Sequence, residues 1–387
     1  MIWDLAIVGA GPAGAAAALG ALAARPDLTV LLLDRSSFPR DKACGDGVAP
    51  QVLDVLAEVG VTGLLDDRVP VRRLQLQSGF TTVTRQLARH AWVVPRTILD
   101  NRLVTSALAA GAQFQQHRVR TVRMRRDAVE LDGEILAKVV VGADGAHSLV
   151  RRAAGAAPVR RRALALRGYA PTPPDHRGKQ VIVFSQTRQP SYAWSFDRGD
   201  GLANVGYGEL PSRQRPAPTR ALLRDQLERL LPGAVDGGTD WVAHHLPLSS
   251  WRWVHPRGRV LLAGDAAGLV NPMTGEGLYY SVATGVLAGR STVGALGAGD
   301  PASAGDRYRV AVRSLLARHL RHTSMGASLL TVPAVVTAGI HAAARDQRVF
   351  DDLVELGLAR GLLTPRVLGA VVADVCRELT AAAPSDL

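Results

Sequence analysis

Gly9-Ala10-Gly11-Pro12-Ala13-Gly14 has the spacing GxGxxG, and an acid, Asp34, stands twenty residues beyond the last glycine. That spacing suits a strand turning into a helix around a pyrophosphate. The first glycine permits the tight turn, the second lets the backbone approach the phosphates, and the third lets helix and strand pack closely. Helix amides and the helix dipole favour the anion, and the Asp34 carboxylate can accept hydrogen bonds from both ribose hydroxyls. Dinucleotide binding follows. The pattern alone does not separate a nicotinamide from a flavin dinucleotide.

Other reactive residues are few. Two cysteines, Cys44 and Cys376, exclude a disulfide framework and a CxxC metal knuckle. The ten histidines show no HExxH or other metal spacing, so no metal is expected, and His244-His245 reads as structural. No GxSxG elbow is present. Tyr192, Trp194 and Phe196 alternate, so on a strand they share one face. That face makes either an apolar ligand wall or ordinary core.

These residues need elements to position them. Short apolar runs at 4–8 and 29–34 flank an Ala-rich helical stretch at 13–24, and together they make a βαβ unit. Helices are expected at 52–59 and 96–110, hairpin strands at 74–84 and 118–131, and a third buried strand at 139–141. From 158 to 253, prolines, aromatics and β-prone runs mark a second, sheet-containing lobe. Another buried strand at 259–263 leads to a helix at 277–289, and the tail is helical. The expected fold is α/β, with a discontinuous Rossmann-like dinucleotide domain at 1–72, 96–157 and 255–300. A β-sheet substrate domain takes 73–95 and 158–254, and a helical C-terminal region 301–387.

Gly142-Ala143-Asp144-Gly145 and Gly264-Asp265-Ala266-Ala267-Gly268 each follow a short β run, and Gly275-Glu276-Gly277 comes soon after. With GxGxxG, these DG and GD motifs resemble the flavoprotein monooxygenase fold of the p-hydroxybenzoate hydroxylase type, which points to FAD. In that family the GD aspartate meets the ribityl chain. The following helix aims its N-terminus at the flavin pyrimidine edge, where it would stabilise the negative charge of reduced flavin. Residues 38–47, FPRDKACGDG, narrow the likeness, because they resemble the FPRxKxCGxG segment of geranylgeranyl reductases. Tyr192-Ala193-Trp194-Ser195-Phe196-Asp197 is similar to the YxWxFP motif lining that family's prenyl pocket, with Asp197 in place of proline, and Asn204-Val205-Gly206 continues the match. Asn271-Pro272-Met273-Thr274-Gly275-Glu276-Gly277 is similar to NPxTGEGI.

The resemblance implies cofactor contacts from Gly9, Gly11, Pro12, Ala13, Gly14, Asp34 and Arg35, and from Cys44 and Gly45. It adds Arg96, whose guanidinium suits a pyrophosphate, and Asp144, Gly264, Asp265, Gly275, Glu276 and Gly277. Cys44, Tyr192 and Trp194 would stand at the reacting centre, and Tyr192, Trp194, Phe196, Asn271 and Pro272 against the substrate. The implied activity is reduction of carbon-carbon double bonds in an isoprenoid (geranylgeranyl or polyprenyl) or similar hydrophobic substrate. Hydride would come from FADH2, and a proton from an acid or water near Cys44. The alternative on the same scaffold is a FAD-dependent monooxygenase that hydroxylates or epoxidises a hydrophobic natural product. A halogenase is disfavoured, since no WxWxIP segment occurs. There is no second GxGxxG, so the external reductant, NAD(P)H or ferredoxin, would act transiently or at a distance.

Composition limits the partners. The 387 residues are 47% hydrophobic and 21% charged, a globular composition on a chain too long for one small core. Basic residues outnumber acidic ones by 46 to 34, and nearly all are Arg. They are scattered, with few aromatics between them, which argues for a solvated surface and against nucleic acid. The cysteine usage suits a reducing cytoplasm. The uncharged run at 5–24 is broken by glycines and has no basic n-region, so it reads as neither span nor signal peptide. A second run at 323–344 reads as a buried helical pair or one touching a membrane surface. A lipid substrate would favour such peripheral membrane contact.

Overall fold

The computed structural model describes residues 1–211 and 218–381. Residues 212–217 of the expected substrate domain and 382–387 of the expected C-terminal region lie outside them. The chain begins with β1 (Ile2–Val8), α1 (Pro12–Ala24), β2 (Val30–Asp34), β3 (Gly47–Val48) and α2 (Pro50–Ala57). It continues with β4 (Val71–Ser78), β5 (Thr81–Val93), α3 (Arg96–Ala109), β6 (Gln113–Gln116) and β7 (Val122–Met124). Next come β8 (Val129–Leu131), β9 (Ile135–Gly142), α4 (Leu149–Ala153), β10 (Arg162–Pro171), β11 (Lys179–Phe184) and β12 (Ser191–Asp197). β13 (Leu202–Glu209), α5 (Arg220–Leu230), β14 (Thr239–Pro247) and β15 (Val260–Leu262) follow. The last helices are α6 (Leu278–Gly297), α7 (Ala304–Leu329), α8 (Pro333–Arg345), α9 (Gln347–Leu358) and α10 (Pro365–Ala381).

The first sheet sets β6, β2, β1 and β9 side by side in parallel. The end of β9 pairs with β15 in parallel, and its beginning pairs antiparallel with β8 of the β7–β8 hairpin. β2 is buried throughout, as a parallel strand covered on both faces must be. α1 packs against α6 with almost nothing between the backbones. A Cβ at Gly285 would stand 2.3 Å from the Ala13 carbonyl oxygen, and one at Gly289 2.2 Å from that of Ala17. This contact fixes the turn before α1 beside the start of α6, two segments far apart in sequence.

The second sheet has the order β14-β10-β13-β12-β11-β4-β5-β3. β3 falls inside the 1–72 stretch that the sequence reading gave to the nucleotide domain, yet Gly47 pairs with Val93 of β5. The segment after Cys44 therefore ends on the second sheet. One face of this sheet packs Ala193, Val205 and Tyr207 onto Leu223 and Leu227 of α5. The other face packs Leu74, Leu76, Ile182 and Phe184 against Val336 and Ile340 of α8 and Phe350 of α9. The C-terminal helices thus roof the second sheet. Among the described residues no single helix is long and apolar enough to cross a membrane. Only the pair Pro301–Leu329 and Pro333–Arg345, bent by 116°, has the length and composition.

Candidate active site

A cavity of about 1200 Å³ runs from the turn at residues 9–13, past the loop bearing Cys44, to the helices α7 to α10. At its first end, Gly11 caps α1 without any side-chain bond. A Cβ at Gly11 would meet only guanidinium nitrogens, Arg40 Nη2 at 3.2 Å and Arg96 Nη2 at 4.0 Å. An open helix N-terminus flanked by two cations is an anion site. Gly9 has φ +100° and a Cβ there would stand 2.3 Å from the Ala143 carbonyl oxygen, while one at Gly14 would stand 1.8 Å from that of Gly9. Gly14 therefore packs behind the cavity wall. Asp34 is buried on the wall beside Arg35. Its Oδ2 accepts from the Ala10 amide at 2.9 Å and its Oδ1 from the Ser36 amide at 2.9 Å. Asp144 also lines the cavity and caps α4, accepting from the amides of Leu149 at 2.6 Å and Val150 at 3.2 Å.

Arg96 lines the cavity but is committed to a second partner. Its Nε and Nη2 donate to the two oxygens of Asp100 at 2.6 and 2.8 Å, both residues being buried. Burial opposes its charge, and Asp100 holds its pKa above the usual range nonetheless. Arg40, which the sequence reading did not single out, adds a second cation 3.3 Å from Asp100. Lys42 Nζ donates to Asp265 Oδ2 at 2.9 Å. Burial would raise that carboxyl, and Lys42 holds it below the usual range. Cys44 lies on the wall, its thiol pushed up by burial against the opposing pull of Arg96.

β12 turns Tyr192, Trp194 and Phe196 into the cavity, with neighbouring ring centroids 5.9 and 6.3 Å apart. Phe184 of β11 extends the row, 6.0 Å from Tyr192. Alternation sends Ala193 to the α5 core instead. The Tyr192 hydroxyl donates to the Thr274 carbonyl. Trp194 Nε1 donates to Asn204 Oδ1 at 2.8 Å, and Asn204 Nδ2 donates to the Cys44 carbonyl at 2.9 Å and to Asp46 Oδ2 at 2.8 Å. The Tyr169 hydroxyl donates to the same Asp46 oxygen at 2.6 Å. Asp46 is 1% exposed, and burial pushes its carboxyl up to about 6. Asp197, standing in place of proline, accepts from the Gly178 amide at 2.6 Å and Thr172 Oγ1 at 3.1 Å, so it ties the end of β12 to neighbouring turns.

Three placements correct the sequence reading, that of Gly14 behind the wall being the first. Asn271 does not face the cavity: it is fully buried, and its Nδ2 donates to the carbonyls of Leu356 at 3.0 Å and Gly357 at 3.1 Å. It ties the loop before α6 to the end of α9, while Pro272 beside it does line the cavity. Gly264 is likewise behind the wall, where a Cβ would stand 2.7 Å from Ser281 Oγ. Gly45, Gly275, Glu276 and Gly277 are on the wall. Glu276 caps α6 itself, its Oε1 accepting from the amides of Leu278 at 2.6 Å and Tyr279 at 3.1 Å. Burial pushes this carboxyl up to about 7. Arg40, Lys42, Asp46 and Asn204 were missed although they lie inside the quoted motifs. Tyr169 and Arg167, which pairs with Asp41, carry no motif at all.

The open N-terminus of α1, with Asp34 beside it, leads into an aromatic-walled apolar cavity, an arrangement suited to a dinucleotide cofactor and a hydrophobic substrate. The chain belongs to the FAD binding domain family, which matches residues 3–291. Menaquinone reductase of Mycolicibacterium smegmatis is 33% identical over 332 residues, covering 74% of this chain and 75% of that protein. Digeranylgeranylglycerophospholipid reductase 1 of Methanopyrus kandleri is 31% identical over 314 residues, covering 76% of this chain and 82% of that one. A solved geranylgeranyl bacteriochlorophyll reductase-like structure from Thermoplasma acidophilum superposes with a TM-score of 0.80 at 20% identity. It covers 98% of this chain and 99% of that one, and it confirms the fold. The protein is a FAD-dependent oxidoreductase with geranylgeranyl reductase-like relatives.

Proposed function

We propose that this flavoprotein adds two hydrogens across carbon-carbon double bonds of an isoprenoid chain. The observation that carries this reading is the continuity of one cavity from the dinucleotide cradle to the apolar helices, with an aromatic wall between. The residues present fit FAD: Gly11 and Arg40 for the pyrophosphate, Asp34 for the ribose, and Asp265, Gly275 and Gly277 for the flavin end. When bound and reduced, FAD supplies a hydride equivalent. The chain's own residues orient the substrate and exclude water. Tyr192, Trp194 and Phe196 present flat apolar surface to an extended chain, and Phe184, Ile182 and Leu76 continue it. Two relatives named for reduction of a quinone and of a digeranylgeranyl lipid support the substrate class.

The substrate enters, in this reading, from a lipid surface. Leu329 and Leu368 both line the cavity and are 40% and 39% exposed, so the cavity reaches the surface beside them. Met325 on α7, Val332 in the turn before α8 and Val372 on α10 are exposed as well, and such residues suit a membrane interface. NAD(P)H or ferredoxin would reduce the flavin transiently or from a distance.

Anaerobic incubation of prereduced enzyme with a panel of polyprenyl lipids, read by mass spectrometry, tests the chemistry. A gain of two hydrogens per double bond is expected. Labelled oxygen in the product, with strict dependence on oxygen, would overturn it in favour of the monooxygenase. Liposome flotation at low and high salt tests the membrane contact, and absence of binding at both would reject it.

A further inference from the structure

An unactivated alkene accepts hydride poorly, so a reductase of this kind needs a well-placed acid. We propose that Glu276 is the residue that delivers the proton to the alkene carbon, an assignment that rests on the reductase reading above.

Among the described residues six carboxyl groups line the cavity: Asp34, Asp41, Asp144, Glu209, Asp265 and Glu276. Asp34, Asp41, Asp265 and Glu209 line the cavity but each has a cation partner, respectively Arg40, Arg167, Lys42 and Arg188. Asp144 caps α4. His244 is pushed down to about 4 by burial and is a neutral base near neutrality. Cys44 and Tyr192 keep their protons, but burial raises both, which makes them weaker acids than usual. Glu276 lines the cavity with no ion pair among the described residues, and burial holds it protonated up to about 7.

The surroundings also favour the step itself. The Glu276 O–H bond breaks and a carbon-hydrogen bond forms at the alkene carbon next to the one receiving hydride from reduced FAD. The carboxylate left behind falls on two α6 amides already aimed at Oε1, at 2.6 and 3.1 Å, and on the positive end of that helix. Arg96 on α3 adds its field, while Asp265, itself paired with Lys42, opposes. Cys44 on its loop, Tyr192 on β12 and Tyr280 on α6 face the same group and stay neutral at neutral pH. The stabilisation grows as charge develops, which is what lowers a barrier. Solvent then restores the proton.

Glu276→Gln preserves the acceptor for the α6 amides and cannot donate a carboxylic proton. Two measurements decide the assignment. The first is an infrared pH titration of the oxidised holoenzyme: wild type is expected to show a protonated carboxyl band that disappears with a midpoint near 7 and is absent from Glu276→Gln. A Glu276 ionised on both sides of that midpoint overturns the proposal whatever the substrate. The second is an anaerobic single turnover of prereduced enzyme, with FAD content and melting temperature checked. Product formation in Glu276→Gln is expected to fall by about 100-fold or more, and by more than in Cys44→Ser. A wild-type rate in Glu276→Gln, or the larger loss in Cys44→Ser, overturns the assignment. If wild type itself adds no hydrogen, it is the reductase reading that fails.

Discussion

Trp194 on β12 and Cys44 on the loop before β3 are joined through a single side chain: the indole nitrogen donates to Asn204 Oδ1, and Asn204 Nδ2 donates to the Cys44 carbonyl. The aromatic wall and the Cys44 loop are therefore tied to each other directly. Tyr192, bonded to the Thr274 carbonyl, ties the same strand to the loop before α6.

Asn204→Ala should uncouple them. Asn204 is 0% exposed and Trp194 6%, so water cannot easily replace the lost partner. Leaving the indole N–H and a loop carbonyl unsatisfied costs about 3 kcal/mol. Chemical denaturation of the variant measures the loss, and adding Trp194→Phe should then cost much less than Trp194→Phe alone. Equal costs in both backgrounds would show that the bond does not couple the two sites.

Two glycines of the first motif should respond oppositely to the same methyl group. At Gly14 the methyl would collide with backbone at 1.8 Å, whereas at Gly11 its nearest neighbour is the mobile end of Arg40 at 3.2 Å. Gly14→Ala is expected to unfold the first lobe. Gly11→Ala should melt near the wild-type temperature and lose FAD affinity, because it fills only the cradle. Titration of apoprotein with FAD, with flavin fluorescence as the readout, separates the two. A Gly11→Ala protein that binds FAD as wild type does would remove Gly11 from the cofactor site.

These contrasts mark what could be read from the sequence. The βαβ unit was visible because β2 is a run of four apolar residues closed by an acid, and the glycines stand at fixed offsets. The alternation of Tyr192, Trp194 and Phe196 gave their common face through strand geometry alone. Asn271 was misplaced because a motif gives proximity and not direction, and its side chain turns to the carbonyls ending α9. Asp46, Tyr169 and Arg167 could not be found because nothing local pairs them. Asp46 and Tyr169 meet only when β10 crosses the Cys44 loop, and polar contacts formed across a fold leave no periodic trace. The joining of β3 to the second sheet escaped notice for the same reason, since a two-residue strand has no pattern.

Asp46 should make stability fall as pH rises. Its carboxyl is raised from an ordinary 3.8 to about 6 in the fold. Below 3.8 folded and unfolded chains both hold the proton, so the contribution is fully present there. Between 3.8 and about 6 only the unfolded chain releases it, and the fold loses about 3 kcal/mol by the time the native carboxyl has ionised. Asp46→Asn cannot ionise, so the difference in unfolding free energy between variant and wild type should shift in the variant's favour across that window. Any constant cost of placing an amide there cancels in the comparison. Denaturation curves that keep the same separation at both ends of the window would reject the raised carboxyl.

The far end of the cavity offers a test of what it holds. Gly339 lies within α8 on the cavity wall, and a Cβ there meets nothing within 4 Å. Gly339→Leu should fold at least as well as wild type, since replacing a mid-helix glycine stabilises by about 0.5 to 1 kcal/mol. The new side chain projects into space that a long isoprenoid tail would otherwise occupy, among Val336, Ile340 and Leu368. Overpacking of about 1 to 3 kcal/mol then falls only on substrates long enough to reach it, weakening them by about 5- to 150-fold. Turnover of a homologous series of polyprenyl lipids should therefore show wild-type kcat/KM for short members and a sharp decline beyond a threshold length. A uniform loss at every length would mean that the residue acts through the fold. No loss at any length would place the chain elsewhere and leave the apolar helices without a role in substrate binding.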